Sequence, residues 1–203
     1  VQLAANGITP WTPETPALYT LRVTVTANGT ADTTEQRIGI RTIQVSSKTG
    51  LLLNGQPRTM KGGCIHHDLG ILGAADHAAA ERRRIRLMKE SGFDAIRAAH
   101  NPFGPAFLDA CDELGMLVVE EAFDEWVMGR TSFGLHVTFE QCWEKDLEDM
   151  ITRDYNHPCI VMWSTGNEVE ERDGTADGFA WAKRLADKVR SLDASRPVSA
   201  TAC

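Results

Sequence analysis

The sequence predicts an α/β protein in which a parallel sheet is covered by helices and entered through a short antiparallel β segment. Three observations predict this. Beyond residue 76, short apolar runs alternate with stretches whose apolar residues recur at helical spacing, the pattern of buried parallel strands between amphipathic helices. Before residue 46, apolar residues alternate singly with polar ones, as in half-buried strands. Polar residues also collect directly after each apolar run, where the C-terminal rim of a sheet lies.

The antiparallel segment comes first. Leu21, Val23 and Val25 alternate with Arg22, Thr24 and Thr26, and Ile38 and Ile40 alternate with Arg37, Gly39 and Arg41. Asn28-Gly29 between the runs marks a tight hairpin, because both residues tolerate the positive φ such a turn needs. Upstream, Trp11, Pro13, Pro16, Leu18 and Tyr19 form an irregular approach in which proline limits pairing. Two or three strands cannot close a sandwich, so residues 1–46 are expected to be the C-terminal part of a β domain, with the chain beginning inside it.

After Ser46-Ser47-Lys48-Thr49-Gly50 the rhythm becomes strand, loop, helix, and residues 47–203 form the second unit. Asp76 is placed to cap a helix carrying Ile85 and Met88, Gly92 ends it, and 93–97 form a short strand. Pro105 opens the next helix, striped by Phe107, Cys111 and Leu114 and stopped by Gly115. Met116-Leu117-Val118-Val119 is a buried strand. Phe139, Trp143, Leu147, Met150 and Ile151 stripe a longer helix, after which Pro158 precedes the strand Ile160-Val161-Met162-Trp163. Phe179, Leu185, Ala186, Val189 and Leu192 stripe the last helix, and 198–202 is the final apolar stretch. An open doubly wound sheet and a (β/α)8 barrel both fit this order. No Gly-rich phosphate loop follows the first strand, which counts against a dinucleotide site.

Composition narrows the function. The 203 residues include 21 basic and 28 acidic side chains, a net charge of −7 that repels a phosphate backbone, and no basic block offers an exception. Nucleic acid is excluded as a partner. No apolar run approaches the ~18 residues of a membrane-spanning helix. Residues 1–7 lack a signal core, which assigns no compartment to a chain expected to begin inside a domain. Five widely spaced cysteines without a Cys-x-x-Cys pair fit neither a disulfide framework nor a zinc site.

The polar clusters are His66-His67-Asp68, Arg97 with His100-Asn101, Glu120-Glu121 and Asn167-Glu168. In a barrel they would converge on one pocket. Glu168 follows an apolar strand through Trp163-Ser164-Thr165-Gly166-Asn167, and a half-enclosed apolar site would raise its pKa enough to make it a proton donor near neutral pH. Glycoside hydrolysis needs such an acid and a second carboxylate, about 5–5.5 Å away in retaining enzymes. Asn167 could hold a sugar hydroxyl and the histidines the ring. Trp126 lies in the loop after the third strand, where it is exposed unless it meets a ligand or a lid. The blander readings are a solvated loop carboxylate for Glu168, a solvated helix start for Glu170 and Glu171, a loop brace for His157, and core for Trp163. Adjacent histidines without i, i+4 spacing argue against a metal at His66-His67-Asp68.

Together these residues resemble glycoside hydrolase family 2, the family of β-galactosidases, β-glucuronidases and β-mannosidases. Asn54-Gly55-Gln56-Pro57 through Lys61-Gly62-Gly63 to His66-His67-Asp68 is similar to its entry into the first barrel strand. Gly92-Phe93-Asp94-Ala95-Ile96-Arg97 with His100-Asn101-Pro102 resembles the second, although many members have Asn at the place of Asp94. Cys111-Asp112-Glu113-Leu114-Gly115 with Val118-Val119-Glu120-Glu121 resembles the third. Arg153-Asp154-Tyr155-Asn156-His157-Pro158 through to Gly166-Asn167-Glu168 is the most specific match, and Arg196-Pro197-Val198 approaches the fifth strand. Trp11-Thr12-Pro13-Glu14 to Leu18-Tyr19 resembles the immunoglobulin-like sandwich that precedes the barrel.

The resemblance implies a (β/α)8 TIM barrel truncated after about strand 5, preceded by part of an immunoglobulin-like β-sandwich. It implies a retaining exo-β-glycosidase acting on terminal β-galactosides, with Glu168 as acid/base, Asn167 on the sugar 2-hydroxyl, His66 and His100 lining the sugar subsite and Arg97 bracing it. Some members bind Mg²⁺ through a Glu and a His after the third strand. Glu125 falls near that Glu, but Val127 stands at the place of the His, so neither metal nor other cofactor is expected. The nucleophilic Glu follows the seventh strand in the family, beyond this chain, which alone is therefore expected to be inactive. A partial barrel leaves strand edges unpaired, so homo-oligomerisation is an expected mode of association. The alternatives are a β-glucuronidase or another member of the family, a non-catalytic carbohydrate-binding fragment, and a structural remnant that binds nothing.

Overall fold

A computed structural model of the chain describes residues 7–173 and 176–200, so the end of the final apolar stretch lies outside the described residues. Its centre is a five-stranded sheet in which neighbouring strands are consecutive in sequence and all parallel. The strands are preceded by a front segment that supplies two smaller antiparallel sheets.

In the front segment, β1 (Tyr19–Ala27) and β2 (Thr30–Ile38) form one hairpin whose turn is Asn28-Gly29, both at positive φ as the sequence predicts. The hairpin is largely exposed. The next strand, β3 (Ile43–Ser46), pairs with β4 (Gly50–Leu53) rather than with the hairpin, and β4 pairs with β5 (Gln56–Pro57). Residues 46 and 47, where the sequence predicts the division of the chain, belong to the β3–β4 hairpin.

The parallel sheet and its helices follow in strict alternation: β6 (Gly62–Ile65), α1 (Ala78–Glu90), β7 (Ala95–Ala98), α2 (Pro105–Leu114), β8 (Leu117–Glu121), α3 (Phe139–Asp154), β9 (Ile160–Ser164), α4 (Ala176–Leu192) and β10 (Val198–Ser199). The order β6-β7-β8-β9-β10 is that of a β/α barrel, and a doubly wound sheet, whose order reverses at a switch point, is ruled out for these strands. Pro105 at the first turn and Gly115 in the left-handed conformation bound α2 as predicted. Asp76 does not cap α1, whose N-cap is His77. Its carboxylate instead accepts the N–H of Ala106 at the start of α2, so it caps the neighbouring helix. In α4 the buried stripe includes Leu185 and Val189, but Phe179 is 74% exposed and Trp181 occupies the interior, against the edges of Phe139 and Trp143.

The front segment docks on the N-terminal ends of the strands. The Trp11 indole is fully buried and donates to the Asp112 carbonyl at 2.9 Å. Arg41 donates to the carbonyls of Pro158 and Ile160, and burial together with the nearby Arg196 charge lowers its pKa to about 10. Gly115 is required here twice over: its φ is +74°, and a Cβ would lie 2.3 Å from the Pro13 carbonyl oxygen. This end of the sheet is a packed base. Among the described residues no helix is long and apolar enough to cross a membrane.

Candidate active site

The opposite, C-terminal ends of the strands carry the predicted polar residues. The chain reaches them by the period-2 pleat of β8, which sends its last two residues to opposite faces. Glu121 turns toward the ends of β7 and β9, fully buried, and is the hub of the site. Its Oε2 accepts Arg97 Nη2 at 2.7 Å, Arg97 Nε at 3.1 Å and the Ser164 hydroxyl at 2.7 Å, while its Oε1 meets His100 Nδ1 at 2.7 Å. Arg97 also donates to Asn167 Oδ1 at 2.9 Å, so one guanidinium bridges β7 to the loop after β9. Burial works against the charge on Arg97, but its hydrogen bonds and charge contact with Glu121 outweigh that and hold its pKa above the ordinary value.

Four predicted residues therefore come together: Arg97, His100 and Asn167 through Glu121, and His66 through an edge-to-face contact with His100 at 5.0 Å between ring centroids. Asn167 is only 5% exposed, and its amide donates to Asp124 at 2.8 Å. Glu168, the next residue, stands exposed at the rim with a left-handed backbone, φ +43°. The apolar enclosure that the sequence predicts for its carboxyl is not supplied by the described residues. Trp126 is a clearer correction. It is 2% exposed, with its indole N–H on the Thr165 carbonyl at 2.8 Å, so it supports the Thr165-Gly166 turn from beneath and offers no free face to a ligand. Trp163 is likewise core, with its indole on Asp193 at 2.8 Å.

Glu120, on the other face, accepts the Phe103 N–H at 2.8 Å. Arg153 grips the same residue by its carbonyl at 2.6 Å, and the Phe103 ring stacks on His67, so the loop bearing His100 is fixed from behind. Burial and the nearby Asp154 carboxylate push the Glu120 pKa well above the usual carboxylate range. Glu171 is buried rather than solvated, and accepts the Met128 N–H at 2.7 Å.

Glu125 lies in the loop after β8. Its oxygens accept the backbone N–H groups of Arg130 at 3.0 Å and His136 at 3.1 Å, and the His136 ring approaches at 3.2 Å. Burial opposes its charge, yet these hydrogen bonds lower its pKa. The carboxylate is filled by N–H donors, which fits a loop anchor better than a cation ligand. Asp112, His157 and Cys159 also gather closely, but at the base. Both Asp112 oxygens are engaged there, by His157 Nδ1 at 2.6 Å and by the Cys159 N–H at 3.0 Å, which makes His157 the brace expected of it.

Sequence reasoning missed the roles of Glu121, Ser164, Asp124 and Arg130. For Glu121 a signal existed: of two adjacent glutamates ending a buried strand, one must face the strand ends and the other the helices. Nothing local to Asp124 or Arg130 shows that their loop folds back on Asn167.

Two family models match the chain: "Glycosyl hydrolases family 2, TIM barrel domain" over residues 43–202 and "Glycosyl hydrolases family 2" over residues 2–41. The chain is 38% identical to the β-galactosidase BoGH2A of Bacteroides ovatus, covering 98% of this chain and 27% of that protein. It is 36% identical to a putative β-glucuronidase of Formosa agariphila, over 91% of this chain and 18% of that one. Among solved structures, a glycosyl hydrolase family 2 member from Bacteroides cellulosilyticus superposes with a TM-score of 0.91 at 42% identity, over 95% of this chain and 25% of that one. The chain thus spans about a quarter of the length of such relatives.

Proposed function

The chain belongs to glycosyl hydrolase family 2, and from that premise we propose that it carries the acid/base half of a retaining exo-β-glycosidase acting on terminal β-galactosides. The observation that supports this most is the Glu121 hub, which ties Arg97, His100 and Asn167 into one rigid rim directly beside Glu168. In this reading Glu168 protonates the departing glycosidic oxygen, and a carboxylate from elsewhere in the protein attacks the anomeric carbon. Water then enters as Glu168 takes its proton. Asn167 meets the 2-hydroxyl with the amide proton that Asp124 leaves free, and His66 and His100 line the sugar. Of the carboxylates near Glu168, Glu121 is held within its hub, Asp124 by Asn167 and Glu125 by its loop. The second carboxylate is assigned to protein outside this segment because the chain spans only about a quarter of the length of its relatives.

Two relatives carry different activities in their names, which favours β-glucuronides as the second reading. Aryl β-galactosides and β-glucuronides assayed side by side on the full-length protein separate the two. In the same protein, Glu168→Gln is expected to lower kcat/KM for substrates with poor leaving groups by about 10²–10⁴-fold while sparing kcat/KM for strongly activated ones, since in the bond-breaking step only the former need protonation. Equal losses on both would overturn the assignment.

A further inference from the structure

We infer that Arg130 and Arg172 are positioning residues that set the backbone of Glu168 and so aim its carboxyl, an inference that rests on the acid/base reading above. The φ and ψ of a residue are the orientations of its two flanking peptide planes about the Cα. At Glu168 each plane is held by a different guanidinium. Arg130 Nη2 donates to the carbonyl of Asn167, which belongs to the preceding peptide, and Arg172 Nη1 donates to the carbonyl of Glu168 itself, which belongs to the following one. The conformation so fixed is one that L-residues other than Gly, Asn and Asp rarely adopt, φ +43°. Left to local preference, a glutamate here would relax to negative φ and turn its side chain elsewhere.

The clamp is itself anchored. The Arg130 guanidinium also reaches the carbonyl and the carboxylate of Asp124, and the same Asp124 oxygen accepts the Asn167 amide at 2.8 Å. The Arg130 N–H rests on Glu125 Oε2 at 3.0 Å, so the guanidinium is presented by a loop already pinned at its root. Arg172 sits on the short 3₁₀ turn Glu170–Asp173, which is tied to the same loop where Glu171 accepts the Met128 N–H. Loop and turn thus hold the two peptides that flank the Glu168 Cα, one each.

The test uses kcat/KM of the full-length protein on two β-galactosides, one with a 2,4-dinitrophenyl leaving group and one with an alkyl leaving group. Arg130→Met is expected to lower the alkyl substrate by about tenfold or more and the dinitrophenyl substrate by less than about threefold, with Arg130→Lys recovering part of the loss. Arg172→Met, at an exposed side chain, is expected to give the same asymmetry. Glu168→Ala is run beside them. If Glu168→Ala shows the asymmetry and the arginine variants lose both substrates equally, or neither, the positioning role is overturned and the acid/base reading stands. If Glu168→Ala shows none, the acid/base reading falls, and the inference falls with it.

Discussion

Glu121 accepts from Arg97, His100 and Ser164 at once, so its loss takes an acceptor from an imidazole, from a hydroxyl and from a guanidinium that keeps its bond to Asn167. Each buried donor stranded in this way costs about 1–3 kcal/mol. Because Arg97 keeps a route to solvent, with 27% of its side chain exposed, the cost is expected at the lower end per donor. Glu121→Ala should therefore unfold at a clearly lower temperature than the parent, and Glu121→Gln, which preserves some of the acceptors, should fall between. Unchanged melting of Glu121→Ala would contradict the hub. At this scale the sequence is readable where a residue's job is set by its own strand: Arg97, His100 and Asn167 each follow an apolar run, and their type marks them out. Trp126 misled because an aromatic in a long loop reads as exposed. The hydrogen bond that buries it, to Thr165, comes from a segment 39 residues away.

Among the elements, β8 and α2 link the two ends of the sheet. Asp112, near the end of α2, holds His157 at the base, while the last residue of β8 organises the rim. Burial pulls the His157 pKa down, but the hydrogen bond and charge of Asp112 outweigh it and raise the pKa above the ordinary 6.5. A raised folded-state pKa stabilises fully below the unfolded value and progressively less as pH climbs through the folded one. Stability measured by denaturant unfolding is thus expected to decline from about pH 6.5 upward. Glu120, also raised, tilts the curve the same way, so the contribution of His157 is the difference between parent and His157→Gln. A His157→Gln curve parallel to the parent through that window would contradict the brace. Helix boundaries such as Pro105 and Gly115 were legible because the chemistry of a cap is local. The role of Asp76 was not, because it caps a helix 30 residues further along the chain.

For the whole molecule, alternation of apolar runs and amphipathic helices was enough to predict parallel strands. Alternation alone left barrel and doubly wound sheet equal; the resemblance implied the barrel, and the strand order bears it out. The front segment shows the same limit from the other side. Trp11 reads as part of an irregular lead-in, yet it is a fully buried anchor between that segment and α2, because docking surfaces leave no period in a sequence. Glu168 is exposed in the described structure. Five parallel strands present a rim, whereas a complete barrel of this type, about 250 residues, surrounds its pocket on all sides. In the proposed reading Glu168 is the acid/base, and the chain spans only about a quarter of the length of its relatives.

The most direct test of that reading is chemical trapping with the full-length protein bearing Glu168→Ala, given an activated aryl β-galactoside and sodium azide. Without its base the glycosyl-enzyme intermediate should accumulate, and azide, which needs no deprotonation, should restore turnover and release the β-configured galactosyl azide. No rate gain and no azide product would show that the carboxyl of Glu168 is not the acid/base.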